Sequence, residues 1–146
     1  MATMSDLLRK KTRPDLISAS PGESVLQATH RMNEYGIGAL LVLDHGDMVG
    51  IFTERDVLRR IVAEERRPAD VEVCEVMTTR VACCEPETPV EDARAIMKTH
   101  RCRHLPIVSP EGHVLGLVSM GDVNAHDANN REVEIHYLNE YLHGRV

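Results

Sequence analysis

Two short strings in the sequence combine residue types that could bind a small ligand. Residues 50–56 read GIFTERD and residues 116–122 read GLVSMGD, so each has Gly, two apolar residues, Thr or Ser, two variable residues and Asp. Thr53 and Ser119 stand where a predicted strand gives way to a helix, and there a hydroxyl can cap free backbone N–H groups. The same helix start can attract a phosphate. The carboxylates of Asp56 and Asp122 could accept hydrogen bonds from the vicinal hydroxyls of a ribose.

Plain helix capping is the competing explanation for each string. Ser or Thr followed three residues later by an acidic residue is a common helix start, in which the carboxylate only completes a capping box. One occurrence would favour capping alone. Because the motif occurs twice, at matching positions and each time after Gly and two apolar residues, we interpret it as a binding motif.

Other groups of reactive side chains give weaker evidence for a functional site. His100, Cys102 and His104 could face one metal ion if they lay on a single helix, but the pattern predicts His104 at the start of a strand. The sequence contains no GxSxG string and no Walker-type phosphate loop. We therefore predict no metal site, no catalytic cofactor and no catalytic residue.

An internal repeat positions the two motifs. Pro21 and Met32 recur as Pro86 and Met97, an offset of 65 residues. One inserted residue near residues 109–111 raises the offset to 66 for the two motifs. Two copies of one unit therefore occupy most of the chain.

Each copy predicts the element order β-α-β-β-α. The first copy supplies a short strand at 16–19, an amphipathic helix through Val25 and Met32, a hairpin of 37–43 and 48–52, and a helix at 54–63. The second supplies 81–84, a helix through Val90 and Met97, a hairpin of 105–108 and 114–118, and a helix at 121–128. A copy of this size buries too little surface alone. The predicted fold is α+β, with both repeats packed as one pseudo-twofold module and two clefts between them.

The predicted boundaries follow from this repeat. The first domain covers residues 5–66 and the second covers residues 71–128, with a charged linker across residues 63–70. Residues 131–144 lie outside the repeat and carry apolar residues at roughly helical spacing. We predict a separate C-terminal helix there, which could cover the core or meet a second subunit.

The chain resembles the tandem cystathionine-β-synthase (CBS) domain pair, or Bateman module, in its small stand-alone bacterial type. The resemblance covers about residues 5–128 and depends on EVMT at 75–78, HLPIV at 104–108 and the two repeated motifs. It implies a regulatory module that binds an adenine nucleotide such as AMP, ADP, ATP or NAD in clefts between the repeats. One departure is that residues 39–42 lack the Pro that the second copy has at Pro106.

The resemblance also implies which residues line the clefts. The motif Asp would bind ribose hydroxyls, and the Ser or Thr would help to hold ribose or phosphate. The first cleft would combine Thr53, Arg55 and Asp56 with Val81, Cys102, Arg103 and His104. The second would combine Ser119 and Asp122 with Thr12, Ile17, Ile37 and Gly38.

The two clefts are predicted to differ in charge. Arg103 and His104 precede the strand of the second copy, whereas their counterparts by the repeat offset are Gly38 and Ala39. Since Arg forms charge-assisted hydrogen bonds to phosphate, the cleft of Asp56 is expected to prefer AMP over adenosine more strongly.

Composition limits the classes of partner. A formal net charge of −6 gives no electrostatic reason to bind nucleic acid or an anionic membrane. No apolar stretch reaches the roughly 20 residues of a membrane span, and the first ten residues lack the apolar middle of a secretion signal. We predict a cytoplasmic protein whose protein target is unknown.

Three functions are compared at this point. A nucleotide-binding sensor, acting through a change of conformation or assembly, is the favoured hypothesis and is not an enzyme. The alternative is a scaffold in which the pair only oligomerises and each Asp only caps a helix. An enzyme acting on bound nucleotide is the third hypothesis. A homodimer is also predicted, because helix faces carrying Val25, Met32, Met97 and Val123 are expected to be exposed in an isolated module.

Overall fold

The computed structural model describes residues 1–11 and 16–128 of the 146-residue chain. Its elements in chain order are α1 (Met4–Lys10), β1 (Ser18–Ala19), α2 (Val25–Tyr35), β2 (Ala39–Asp44), β3 (Asp47–Thr53), α3 (Glu54–Val57), α4 (Val73–Val76), α5 (Val90–His100), β4 (His104–Val108), β5 (Val114–Ser119) and α6 (Met120–Ala128). A π-helical segment, Leu58–Val62, continues α3, and a 3₁₀ turn, Pro68–Asp70, precedes α4.

The strands form one small sheet in each repeat. In the first, β1 lies parallel to β2, and β2 pairs antiparallel with β3. In the second, β4 and β5 form an antiparallel pair. The strand predicted at 81–84 is reduced to a single parallel bridge between Cys84 and Ile107. The predicted α+β order of both repeats is confirmed, with the second sheet smaller than the first.

The long helices α2 and α5 bury the predicted apolar stripes. Ser24 starts α2 as a capping residue, since its hydroxyl accepts a hydrogen bond from the Gln27 N–H at 3.1 Å. Gly36 ends the same helix at a φ of 62°, a left-handed conformation that glycine adopts without a Cβ clash. Val25 and Met32 lie in the first core and Met97 in the second.

That packing corrects the reason given for a homodimer. Val25, Met32, Met97 and Val123 are all buried inside a single chain, with 0–4% of their surfaces exposed. They cannot form an exposed apolar face for a partner. The homodimer itself stays a prediction.

The two repeats exchange their leading segments. The Val73 and Val76 side chains of α4 pack in the core of the first repeat. In the same way, Met4 and Leu7 of α1 pack in the core of the second. Backbone hydrogen bonds fix both segments, for example from the Met4 N–H to the Thr88 carbonyl at 2.9 Å. The cores are therefore interlocked, and α1 lies beside β5 and α6.

The last described element of the chain is helix α6. Helix α6 occupies the place predicted for a helix at 121–128. The helix predicted at 131–144 lies outside the described residues. Within residues 1–11 and 16–128, no helix has both the length and the apolar character needed to cross a membrane.

Candidate functional site

The second motif forms a capped helix start whose carboxylate remains partly open. The Asp122 N–H donates to the Ser119 hydroxyl at 3.0 Å, and the Ser119 N–H donates to Asp122 Oδ2 at 2.8 Å. The side chain of Asp122 keeps 29% of its surface exposed. Capping therefore uses one carboxylate oxygen and leaves the other side of the group accessible.

Lys11, just beyond the end of α1, supplies the positive charge at this site. Its ammonium donates to Asp122 Oδ2 at 3.0 Å and to the carbonyl of Leu117 at 2.7 Å. Partial burial raises the pKa of Asp122, but the Ser119 N–H and the Lys11 charge outweigh burial and hold that pKa below its usual value. Both bonds from the described residues end on Oδ2, so Asp122 is an anion with Oδ1 available.

A cavity of about 350 Å³ opens beside Asp122. Its volume lies within the ~300–1,000 Å³ common for small-molecule sites. Three parts of the fold supply its walls: α1 and Lys11, the first repeat, and the second repeat. The lining residues are Leu8, Lys11, Leu16, Ile17, Gly36, Ile37, Gly38, Ala39, Leu41, His104, Leu115, Gly116, Leu117, Ser119 and Asp122.

His104 adds a second polar group to the cavity wall. Burial lowers the pKa of its imidazole below the usual value; the charges of Arg103 and Lys11 add to this, while those of Glu54 and Asp122 oppose it. The ring is therefore uncharged at neutral pH. A neutral imidazole can donate at one nitrogen and accept at the other, which suits a polar ligand.

The first motif has the same local geometry but a different environment. Asp56 Oδ2 accepts hydrogen bonds from the Thr53 N–H at 2.9 Å and the Thr53 hydroxyl at 3.2 Å. Its other oxygen, Oδ1, accepts a bond from the Thr78 hydroxyl at 3.0 Å. The Asp56 side chain retains only 7% of its exposure. Both oxygens are therefore occupied within the chain.

The covering segment explains why Asp56 is closed. Thr78 and Ile51 exchange two backbone hydrogen bonds, at 2.8 and 2.9 Å, so the chain after α4 pairs with the edge of β3. The lack of a side chain at Gly50 permits this approach, because a Cβ there would lie 2.8 Å from both the Met77 sulfur and the Thr78 carbonyl oxygen. The segment lies directly over the motif.

The remaining predicted residues lie apart from the Asp122 cavity. Arg55 donates to the Arg101 carbonyl at 3.1 Å, which links α3 to the end of α5. The Arg103 carbonyl accepts a bond from the Met120 N–H at 2.7 Å, and its side chain is exposed. Val81 and Cys102 are half-buried and do not line the cavity. Thr12 lies outside the described residues.

The structure thus regroups the predicted site. It brings Ser119 and Asp122 together with Ile17, Ile37 and Gly38, as the second predicted cleft required. His104 was assigned to the cleft of Asp56, but it lines the cavity of Asp122 instead. Each carboxylate has one cationic neighbour: Lys11 lies 3.0 Å from Asp122 Oδ2, and the Arg60 guanidinium lies 3.9 Å from Asp56 Oδ1. The stronger preference of the Asp56 cleft for AMP over adenosine stays a prediction.

Nine residues of the cavity lining were not predicted from the sequence: Leu8, Lys11, Leu16, Gly36, Ala39, Leu41, Leu115, Gly116 and Leu117. Leu8 and Lys11 belong to α1 and its end, whose packing on the second repeat is a long-range contact. The counterpart of Leu8 is Met77, since each lies under a motif glycine. That equivalence was a usable signal, because it places the residues after α1 beside the second motif.

The described residues contain no group of three His, Cys, Asp or Glu side chains that could hold a metal ion. His100 is the exposed last residue of α5, whereas His104 begins β4. The helix geometry that would bring these two together is therefore not present.

Comparison with known proteins identifies the family. A family model described as the CBS domain matches residues 4–63 and 73–128, which is more than half of the chain. The chain therefore belongs to the CBS domain family, as a pair of such domains.

Individual relatives agree with this assignment. The mitochondrial CBS domain-containing protein CBSX3 of Arabidopsis thaliana is 31% identical over 150 residues, which cover 97% of this chain and 72% of that protein. A solved protein with CBS domains from Burkholderia ambifaria MC40-6 has 36% identity and a TM-score of 0.85, covering 89% of this chain and 96% of that one. The CBS domain protein PAE2072 of Pyrobaculum aerophilum, solved in complex with AMP, has 22% identity and a TM-score of 0.72 over 83% of this chain and 89% of that chain. At 22% identity, the similarity to the Pyrobaculum protein is one of fold alone.

Proposed function

We propose that this protein binds one adenine nucleotide per chain in the Asp122 cavity and acts as a regulatory module. The observation that carries the proposal is the open carboxylate of Asp122 at the wall of a 350 Å³ cavity. Asp56 has the same motif, but both of its oxygens already accept hydrogen bonds and 7% of its side chain is exposed, so the proposal assigns it to capping.

The lining residues suit the three parts of a nucleotide. Asp122 Oδ1 is available to accept from ribose hydroxyls, as acidic residues do in dinucleotide-binding folds. The Ile17 and Ile37 side chains offer an apolar surface for a purine ring, and Gly38 lies next to Ile37 in the same wall. The Lys11 ammonium can turn from Asp122 to a phosphate, since Lys has a flexible stem and three donors.

The AMP complex of the Pyrobaculum protein gives a precedent for the ligand class within the family. The proposal for this chain depends on its own residues: the Asp122 carboxylate, the Lys11 ammonium and the neutral His104 imidazole line one cavity. A guanine ligand has a different hydrogen-bonding edge and serves as a test of base selectivity.

The origin of the walls suggests how binding is transmitted. Ligand in the cavity would contact α1, the first repeat and the second repeat together. It would stabilise the arrangement in which these three parts are closest, and any surface that differs between arrangements would report it. In the proposed role Ser119 is a capping residue, since its hydroxyl accepts the Asp122 N–H at 3.0 Å, and the cavity serves regulation and not catalysis.

Isothermal titration of the purified protein with adenosine, AMP, ADP, ATP and NAD tests the proposal, with GMP as the control for the base. We expect saturable binding of at least one adenine compound, with one ligand per chain, and at least tenfold weaker binding of GMP. Mass spectrometry of material released from the freshly purified protein identifies the bound compound.

Two results of the titration would contradict the proposal. If none of the five compounds binds at millimolar concentration, the protein is better described as a scaffold that uses its CBS pair for assembly. Two bound ligands per chain would contradict the assignment of Asp56 to capping. The cytoplasmic location and the homodimer stay predictions from the sequence.

A further inference from the structure

A carboxylate from the first motif lies at the edge of the Asp122 cavity. Glu54 begins α3, and its N–H donates to the Gly38 carbonyl at 3.0 Å. Its side chain folds over the same glycine, because a Cβ on Gly38 would lie 2.8 Å from Glu54 Oε1. Gly38 lines the cavity, so the Glu54 carboxylate lies next to a residue of the cavity wall.

The charge of Glu54 also acts on His104, in another part of the cavity wall. Four charged groups act electrostatically on His104, namely Glu54, Arg103, Asp122 and Lys11, and Glu54 has the largest effect of the four. His104 lines the cavity, so the charge of Glu54 acts on a group of the cavity wall.

The described basic side chains nearest to these motifs have other partners. Lys11 forms an ion pair with Asp122, and Arg55 donates to a backbone carbonyl. Among the described residues, Glu54 takes part in no ion pair, and its side chain is exposed. The second motif has Met120 at the equivalent position, so the carboxylate is specific to one repeat.

We propose that Glu54 is a specificity-determining residue that selects against ligands with several phosphates. The proposal rests on the proposed function of the Asp122 cavity and states which adenine compounds fit it. Adenosine is uncharged and AMP carries about −2 at neutral pH, and each further phosphate adds negative charge. Repulsion by the Glu54 carboxylate therefore grows from adenosine to ATP.

The variant Glu54→Gln tests this, because it removes the charge and keeps the shape of the side chain. We expect adenosine affinity to stay the same, AMP to bind slightly more tightly, and ATP affinity to rise about three- to tenfold. The effect should shrink at 0.5 M NaCl, since salt screens an exposed charge. The measurement is titration of each variant with adenosine, AMP and ATP at both salt concentrations.

Glu64→Gln is the matched control. Glu64 is exposed, lies outside the cavity lining and changes the net charge of the protein by the same amount. Its affinities should equal those of the unaltered protein. A thermal melt of Glu54→Gln verifies folding, and a carboxylate that only complements the start of α3 would change the melt and leave all affinities alone.

The outcomes separate this inference from the proposed function. If adenosine and AMP bind but Glu54→Gln leaves the ratio of ATP to adenosine affinity unchanged, only the role of Glu54 is overturned. If no adenine compound binds either protein, both proposals are overturned. A rise in ATP affinity in Glu54→Gln and not in Glu64→Gln supports the proposal.

Discussion

The two copies of the G-h-h-[ST]-x-x-D motif have the same cap and different surroundings. In both, the Asp carboxylate accepts the N–H of the preceding Ser or Thr at 2.8–2.9 Å. At Asp56 the second oxygen accepts a hydroxyl, and 7% of the side chain is exposed. At Asp122 an ammonium shares the first oxygen, and 29% of the side chain is exposed. A capping motif therefore becomes a binding site only when the segment over it leaves an oxygen accessible.

The point at which each preceding helix ends differs between the two motifs. Helix α4 ends at Val76, and Thr78 pairs with Ile51 of β3 over Asp56. Helix α1 continues to Lys10, so Arg9, the counterpart of Thr78, is still helical. At the second motif, Leu8 covers Gly116 but Lys11 lies at Asp122, and the cavity opens beyond them.

The largest effect should come from comparing Asp122→Ala with Asp56→Ala. Two charge-assisted hydrogen bonds to ribose hydroxyls are worth about 3 kcal/mol together, so Asp122→Ala should weaken AMP binding on the order of 100-fold. Asp56→Ala should leave AMP affinity unchanged and lower the free energy of unfolding by about 2–3 kcal/mol, because buried hydrogen bonds are lost. Titration calorimetry and urea unfolding measure the two quantities. Equal loss of AMP affinity in both variants would contradict the comparison.

The cover over Asp56 is tested by Thr78→Val. This change keeps the shape of the side chain and leaves Asp56 Oδ1 without its 3.0 Å donor, so we expect unfolding to become easier by about 1–3 kcal/mol. Thr79→Val is the control, because Thr79 is exposed. Urea unfolding curves of both variants give the difference. A loss of less than about 0.5 kcal/mol in Thr78→Val would mean that water replaces the hydroxyl.

The variant Lys11→Met tests whether the Lys11 ammonium in the Asp122 cavity recognises phosphate. We expect the preference for AMP over adenosine to fall about three- to tenfold, since one charge-assisted contact is lost in a partly buried site. Lys10→Met is the control, because Lys10 contacts His126 and not Asp122. The ratio of the two dissociation constants, measured by calorimetry, is the readout. An unchanged ratio would remove Lys11 from the proposed site.

The smallest effect concerns the dependence of stability on pH. The pKa of His104 is lower in the folded protein, so between its unfolded value near 6.5 and the folded value the unfolded chain binds more protons. Stability from this group is therefore complete above pH 6.5 and is lost as pH falls through the folded pKa. His104→Gln should make the decrease in melting temperature from pH 7 to pH 5 shallower.

His113→Gln provides the comparison for that measurement, because His113 is exposed in the turn between β4 and β5. We expect its melting temperature to follow the unaltered protein at every pH. If the melting temperature of His104→Gln also follows that of the unaltered protein at every pH, burial does not disfavour the protonated form of the imidazole.

Much of this protein was determined by its sequence alone. The 65-residue repeat, the helices through Met32 and Met97 and both capped motifs were readable because they depend on local periodicity and capping chemistry. The grouping of Ile17, Ile37 and Gly38 with Asp122 was also predicted, although it came from the family resemblance and not from local pattern.

Only the tertiary structure decided which motif stays open. The exchange of α1 and α4 between the cores, the closure of Asp56 by Thr78 and the position of Lys11 at Asp122 are contacts between segments far apart in the chain. Local pattern carries no information on such contacts, because they are chosen by the packing of whole elements. The same holds for His104: the family resemblance groups it with Asp56, and the packing of the two repeats places it on the wall of the Asp122 cavity.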